Sequence, residues 1–469
     1  MKKILLAGLS LTLLFGACKK KDDTTTEPTP SSDYIELSGD IASDMTMDAS
    51  KKYMLKGFVY VTEGATLHIP AGTIIMGDKA TKGTLVITRG SKVDAQGTAT
   101  QPVIFTSAVA AGARREGDWG GVILLGKAPI NAANNNSKIE GGLVPTNGGD
   151  ENKYIYYGGS DVNDNSGTLK YVRIEFAGIA YSPDNEINGL TMGGVGAGTT
   201  ISYVQVYRSG DDAYEWFGGT VNCDHLMATY TWDDDFDTDN GFSGHVQFGV
   251  AQRYKTIADQ SGSNGFESDN DANGSALEPK TKAVFSNMTI IGPITGANST
   301  SSPTSGINAN FQHGAQIRRN SSESIHNSII MGFPLAGLYI DDTKGQPTSA
   351  NADAGTLNFK NNIIAGCPTP YKHNTWANAD TWFAATNTTV LDSSQLVGLT
   401  DPNKFSSAIS SSAGRPNYLL KASSPANSGA DFSGLSGMGF TTVSYIGAFD
   451  GSNDWTSGWA TFDAENTVY

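Results

Sequence analysis

The chain has 469 residues, 55 of them glycine, with only 17 % charged residues and a formal charge of −15. A field of that sign repels phosphate backbones, which excludes nucleic acid as a partner and favours cations. Glycine well above its usual ~7 %, with Asn, Ser and Thr as the polar surface, argues against long helices, and 38 % apolar residues over this length argue against disorder.

Met1-Lys2-Lys3, an apolar run from Ile4 to Phe15 and the small pair Gly16-Ala17 read as a secretion signal over residues 1–17. Its apolar part is too short to span a bilayer comfortably. Leu14-Phe15-Gly16-Ala17-Cys18 resembles the lipobox of bacterial lipoproteins, which implies lipidation of Cys18 and anchoring to a membrane. Lys19-Lys20-Lys21-Asp22-Asp23 resembles the surface-export signal of Bacteroidota-type lipoproteins, which implies an outer-membrane lipoprotein exposed at the cell surface. Residues 18–33, rich in Thr, Pro and Ser, are predicted to be a lipidated cysteine followed by a disordered tether.

Apolar pairs spaced by two residues then recur at Leu67/Ile69, Leu85/Ile87, Val103/Phe105 and Ile123/Leu125, with Gly or Pro between them. Period 2 is the strand signal, and a repeat of ~20 residues means stacked coils. A β-sandwich also has many short strands, but a fixed step suits one turn of chain per strand spacing of ~4.8 Å. The gaps are too short for crossover helices. The predicted fold is all-β: a right-handed parallel β-helix, a solenoid with loop insertions, over residues 34–450. A C-terminal cap or tail follows over 451–469. Later coils lengthen, with candidate inserts at 131–152, 259–279, 296–312 and 342–355.

Asn287, Asn327 and Asn361 open three near copies of Asn-x-x-Ile-x-Gly. They read either as an inward amide ladder or as a plain turn preference of Asn. Residues 376–386 are predicted to form a short helix. Trp455 and Trp459 are predicted to cover the open coil, whose unpaired edge would invite aggregation. Cys223 and Cys367 lie too far apart in such a fold for a disulfide and are predicted free.

The chemistry concentrates in 210–271. Asp211-Asp212-Ala213-Tyr214-Glu215 matches Asp233-Asp234-Asp235-Phe236-Asp237, and Asn264-Gly265-Phe266-Glu267 continues the series. If each step is one coil, Tyr214, Phe236 and Phe266 stack, and so do Glu215, Asp237 and Glu267, at ~4.8 Å. Carboxylates so close either bind protons or share a cation. Oxygen ligands favour Ca²⁺, with Asp211, Asp212, Glu215, Asp234, Asp235, Asp237, Asp239, Glu267 and Asp269 as the candidate set. The plain alternative is a solvated acidic rim.

Catalysis is a further option. Glu215 and Asp237 suit the carboxylate separation of glycoside hydrolysis, and Arg208 or Arg253 would serve an elimination beside the cation. Trp119, Trp216 and Trp232, with Trp376 and Trp382, are candidate sugar-stacking side chains. Cys223, His225 and His245 could converge on zinc if Cys223 aligns with His245.

The run Asp211 to Asn222, with His225-Leu226, Asp233–Asp237, Gln247-Phe248, Asn264–Glu267, Gly117–Gly126 and Tyr445–Phe449, resembles a family of bacterial β-helix surface lipoproteins with a pectin-lyase-like coil. That resemblance implies a surface location and no settled reaction. The expected function is therefore binding or display by a lipid-anchored β-helix, its partner an extracellular glycan, matrix polymer or surface protein. The alternatives are a Ca²⁺-dependent polysaccharide lyase or glycoside hydrolase, or an accessory subunit of an outer-membrane complex.

Overall fold

The computed structural model describes residues 34–182, 185–295, 306–404 and 414–469. The leader 1–17, Cys18 and the tether to residue 33 lie outside the described residues, as does 296–305 of the third insert. From Tyr34 onward the chain is one compact unit. Its principal sheet has 26 strands, paired in parallel from coil to coil, and it winds as a right-handed parallel β-helix. Among the described residues no helix is long and apolar enough to cross a membrane.

Each full coil contributes strand to three faces. The first two faces meet at a sharp corner inside longer strands such as Thr200–Tyr207, Cys223–Thr229 and Val284–Ile291. The corner residues Tyr171, Tyr203, His225, Phe248, Asn287, Asn327 and Asn361 all have φ between +51° and +62°. They form one column, because the registers on either side run Ser202 to Asp224 to Gln247 to Ser286 to His326. The third face is built from Val122–Leu125, Leu190–Gly193, Tyr214–Phe217, Phe236–Asp239, Phe266–Ser268, His313–Arg318, Ala336–Asp341 and Tyr371–His373.

Alternation decides what lies inside. In Tyr214–Phe217 the first and third residues point into the coil and the second and fourth point out. Tyr214, Phe236 and Phe266 accordingly stack in the interior, with ring centroids 5.5 and 5.4 Å apart. The Tyr214 hydroxyl oxygen lies 2.7 and 3.0 Å from the carbonyls of Val204 and Met227, and its single proton serves one of them at a time. Each fully buried ring of this kind contributes about 1.5–3 kcal/mol.

The same alternation corrects two expectations. Trp216 lies inside the coil, stacked on Phe242 at 5.3 Å, and Trp119 is fully buried, its Nε1 donating to the Glu175 carbonyl at 2.7 Å. Trp119 packs so closely over Gly77 that a Cβ there would come within 2.4 Å of the side chain. Neither tryptophan can meet a sugar. Cys223 and Cys367 are free and buried.

The end of the chain departs most from expectation. The C-terminal segment is a strap that runs back along the corner and over the second face. Asn361 Nδ2 donates to Gly429 O at 3.3 Å, and Asn287 Nδ2 donates to Tyr445 O and Gly447 O at 3.0 and 3.2 Å. The Asn column thus binds the strap rather than forming an inward ladder. Trp455 and Trp459 meet Tyr203 edge-on, at 6.4 and 6.1 Å, so they cover a side of the solenoid rather than its open end. The helix Ala379–Ala384 covers that end instead, stacking Phe383 on Tyr371 at 4.6 Å.

Candidate functional site

The outward residues of the third face carry the acidic column. The register pairs Glu215 with Asp237 and Asp237 with Glu267. A second row precedes these strands. Asp234 N donates to Asp212 Oδ1 at 2.7 Å, and Asn264 N donates in turn to Asp234 Oδ1. These backbone bonds hold one oxygen of each Asp, leaving the other to face the groove.

Around the column lies a groove of about 730 Å³ lined by twelve carboxylates and only two arginines. Glu140 and Glu186 reach it from sequence-distant loops, the first insert and the hairpin Ile179–Ser182/Asn185–Ile187. Arg318 and Arg319 close one end. Arg318 Nε lies 2.9 Å from Asp269 Oδ1, and Arg318 also pairs with Glu267. Three overlapping sets of oxygens lie within 4.8 Å of one another: Asp211, Asp212 and Asp233; Asp212, Glu215 and Asp237; Asp234, Asp237 and Glu267. Asp212 and Asp237 each belong to two sets, so the sets form a row.

Burial, then mutual repulsion, pushes the carboxyls of Asp211, Asp212, Glu215, Asp233, Asp237, Asp239 and Glu267 well above their ordinary range. Burial also raises Asp234, against the pull of Arg253, and lifts Glu140 to about 7. Oxygen atoms at this density, on a rigid β scaffold, suit a hard cation with six to eight oxygen ligands. Asp211, Asp212, Asp233, Glu215, Asp237, Asp234 and Glu267 would hold it, with Asp239 and Asp269 lining the same groove.

Asp235 does not belong to this set. Its side chain is fully buried on the inner side, where Arg253 Nε lies 2.8 Å from its Oδ2. Arg253, 2 % exposed, also donates to the Thr231 carbonyl at 3.0 Å and so cannot reach the groove. Arg208 is likewise bound elsewhere, between Glu116 and Glu465 at 2.5 Å from each. The expected cation-side arginines are therefore replaced by Arg318 and Arg319. Nothing in their spacing signalled this, since they come from a strand two inserts away. Trp232 is 37 % exposed and donates from Nε1 to Asp259, a groove residue, at 2.9 Å.

The zinc expectation fails on register. Cys223 pairs with Val246, not His245, and its side chain points into the core. His225 sits at the corner with its ring stacked on Tyr203 at 4.2 Å. Among the described residues the groups close enough to share an ion are all carboxylates.

These features define a right-handed parallel β-helix with a carboxylate-lined groove on one outer face. Residues 39–400 match the model of the pectate-lyase like beta helix domain, and the chain belongs to that family. A similar solved structure is the catalytic domain of a GH87 alpha-1,3-glucanase variant in complex with tetrasaccharides, at 10 % identity and a TM-score of 0.26. The likeness covers 76 % of this chain and 63 % of that one, so the chain spans less than two thirds of it. No curated protein sequence matches the chain.

Proposed function

We propose that this is a lipid-anchored, surface-displayed β-helix that takes Ca²⁺ into its acidic groove and, through the ions, binds an acidic extracellular polysaccharide. The observation that carries the reading is the row of three carboxylate sets sharing Asp212 and Asp237. A cation in each set would relieve the repulsion that burial imposes, and its outer coordination positions would take sugar carboxylates. Arg318 and Arg319 would add direct contacts to the same groups. Cys18 would supply the membrane attachment. The test is binding of polygalacturonate with Ca²⁺ and with EDTA. Saturable binding with Ca²⁺ that EDTA abolishes supports the reading, and Asp237→Asn should weaken it at least tenfold. Binding indifferent to Ca²⁺ contradicts it. Loss of membrane association in Cys18→Ala tests the anchor.

Elimination is disfavoured by the state of Arg318. Its guanidinium is paired with Glu267 and Asp269, which favour its charged form and occupy the N–H groups a base would need free. Hydrolysis is the second reading. Glu215 and Asp237 have oxygens within 4.8 Å of each other, near the ~5–5.5 Å separation used by retaining glycosidases, and both are held protonated more readily than usual. Reducing-sugar release from a polysaccharide panel, lost in Glu215→Gln, would favour it.

A further inference from the structure

The strap creates a second groove, on the first face. Residues 431–441 cross the first face as an arch between two feet, with Leu435 buried and Phe440 packed on the His245 ring at 4.7 Å. At one foot Asn327 Oδ1 accepts from Asp431 N at 2.8 Å and Asn327 Nδ2 donates to Asp431 O at 3.1 Å. At the other, Gln247 Nε2 donates to Thr441 O and Thr441 N donates to Gln247 Oε1, both at 2.8 Å. Under the arch lies a groove of about 660 Å³ whose floor includes His245, Lys282, His326, Asn358, Lys360 and Asn361. That volume falls in the ~300–1,000 Å³ range of ligand pockets.

Its chemistry is the reverse of the acidic groove. The lining has two lysines and one carboxylate, Asp431, whose oxygens are both engaged by Ser433 N and Oγ at 2.9 and 3.1 Å. In a chain of formal charge −15, this groove presents net positive charge. His326 is 8 % exposed, and its ring has no hydrogen-bond partner among the described residues. Burial, then Lys360, holds its pKa down at about 4, so the ring is neutral and offers one donor and one acceptor. The register sets His326 beside Lys360 and sets Ser324 and His245 one coil to either side of Val284. Polar groups therefore stand at several heights along the axis, on coils ~4.8 Å apart, with Val284 between His245 and Ser324.

We propose that this groove is a second, metal-independent site that binds an acidic oligosaccharide, a short run of sugar rings carrying carboxylate or sulfate groups. Lys282 and Lys360 meet the anionic groups. His326, Asn358 and Asn361 meet the hydroxyls.

The test is calorimetry on the full chain in EDTA, which silences any cation-dependent binding in the acidic groove. The probes are trigalacturonate, a sulfated trisaccharide and neutral cellotriose. At least one acidic probe is expected to bind saturably, and at least tenfold more tightly than cellotriose. The double variant Lys282→Ala/Lys360→Ala is expected to weaken it at least tenfold. Lys282 is exposed, so the single variant Lys282→Ala provides a change that leaves the core alone, and it should weaken binding by several-fold. No acidic probe binding in EDTA, equal binding of cellotriose, or unaltered binding by both lysine variants would overturn the proposal. Polygalacturonate that binds only with Ca²⁺ would also remove this site, while leaving the acidic groove standing.

Discussion

Single side chains inside the coil already set a pH response. Glu323 is fully buried, its Oε2 accepting from Thr238 Oγ1 at 2.8 Å, and burial pushes its pKa from 4.5 up to about 8. The folded chain therefore holds this proton where the unfolded chain has lost it. Its stabilising effect is complete below pH 4.5 and declines as pH rises through 8. At ~1.4 kcal/mol per unit, the loss by pH 9 is of order 5 kcal/mol. Glu323→Gln, which stays neutral, should outlast the parent in urea at pH 9 and differ little at pH 5. The groove carboxylates share this sign, because their folded pKa values are also raised. In EDTA, Asp237→Asn should raise the melting temperature at pH 7, since a buried amide neither has to take up a proton nor adds a like charge to the row. The same variant should lose most of the stabilisation that Ca²⁺ confers on the parent. Asp237's crowding was legible in the sequence from its steps to Glu215 and Glu267, whereas Glu323's was not, because it stands next to an ordinary Ser-rich turn.

At the level of elements, the corner column governs how the chain ends. Asn is the side chain that best tolerates the left-handed backbone after Gly, and here its amide also reaches the strap. Asn327→Ala loses both the conformational fit and the bonds to Asp431, and should destabilise by about 2–4 kcal/mol in urea unfolding. Asn327→Gly keeps the fit and should cost about 1–2 kcal/mol. Both should speed proteolysis between residues 431 and 441. If the two variants behave alike, the amide bonds contribute little and the strap is held by its apolar contacts with Met227, Ile291 and Ile329. The three Asn copies were visible in the sequence, but their direction was not. Period 2 tells which strand residues alternate, and it says nothing about a corner where φ changes sign. The strap was hidden for the same reason, as Trp455 and Trp459 carry no periodicity that ties them to Tyr203.

Over the whole molecule, what the sequence reveals is the order along the axis. The steps from Tyr214 to Phe236 to Phe266 predict the interior stack and the outward carboxylates, because backbone pairing converts sequence interval directly into height. Position around the axis is harder to read. Arg318, Arg319, Glu140 and Glu186 enter the groove through inserts of unequal length, and the expected Arg208 and Arg253 are turned inward by buried partners. Trp119 and Trp216 looked like surface aromatics only while their strand phase was unknown. The chemistry of the acidic groove depends above all on its row holding cations. A calorimetric titration of the purified chain with CaCl₂ tests it directly. Saturable binding of more than one ion per chain is expected, with a heat that varies with buffer because bound protons leave, and a higher melting temperature with Ca²⁺ than with EDTA. No heat of binding and identical melting curves in the two conditions would contradict it.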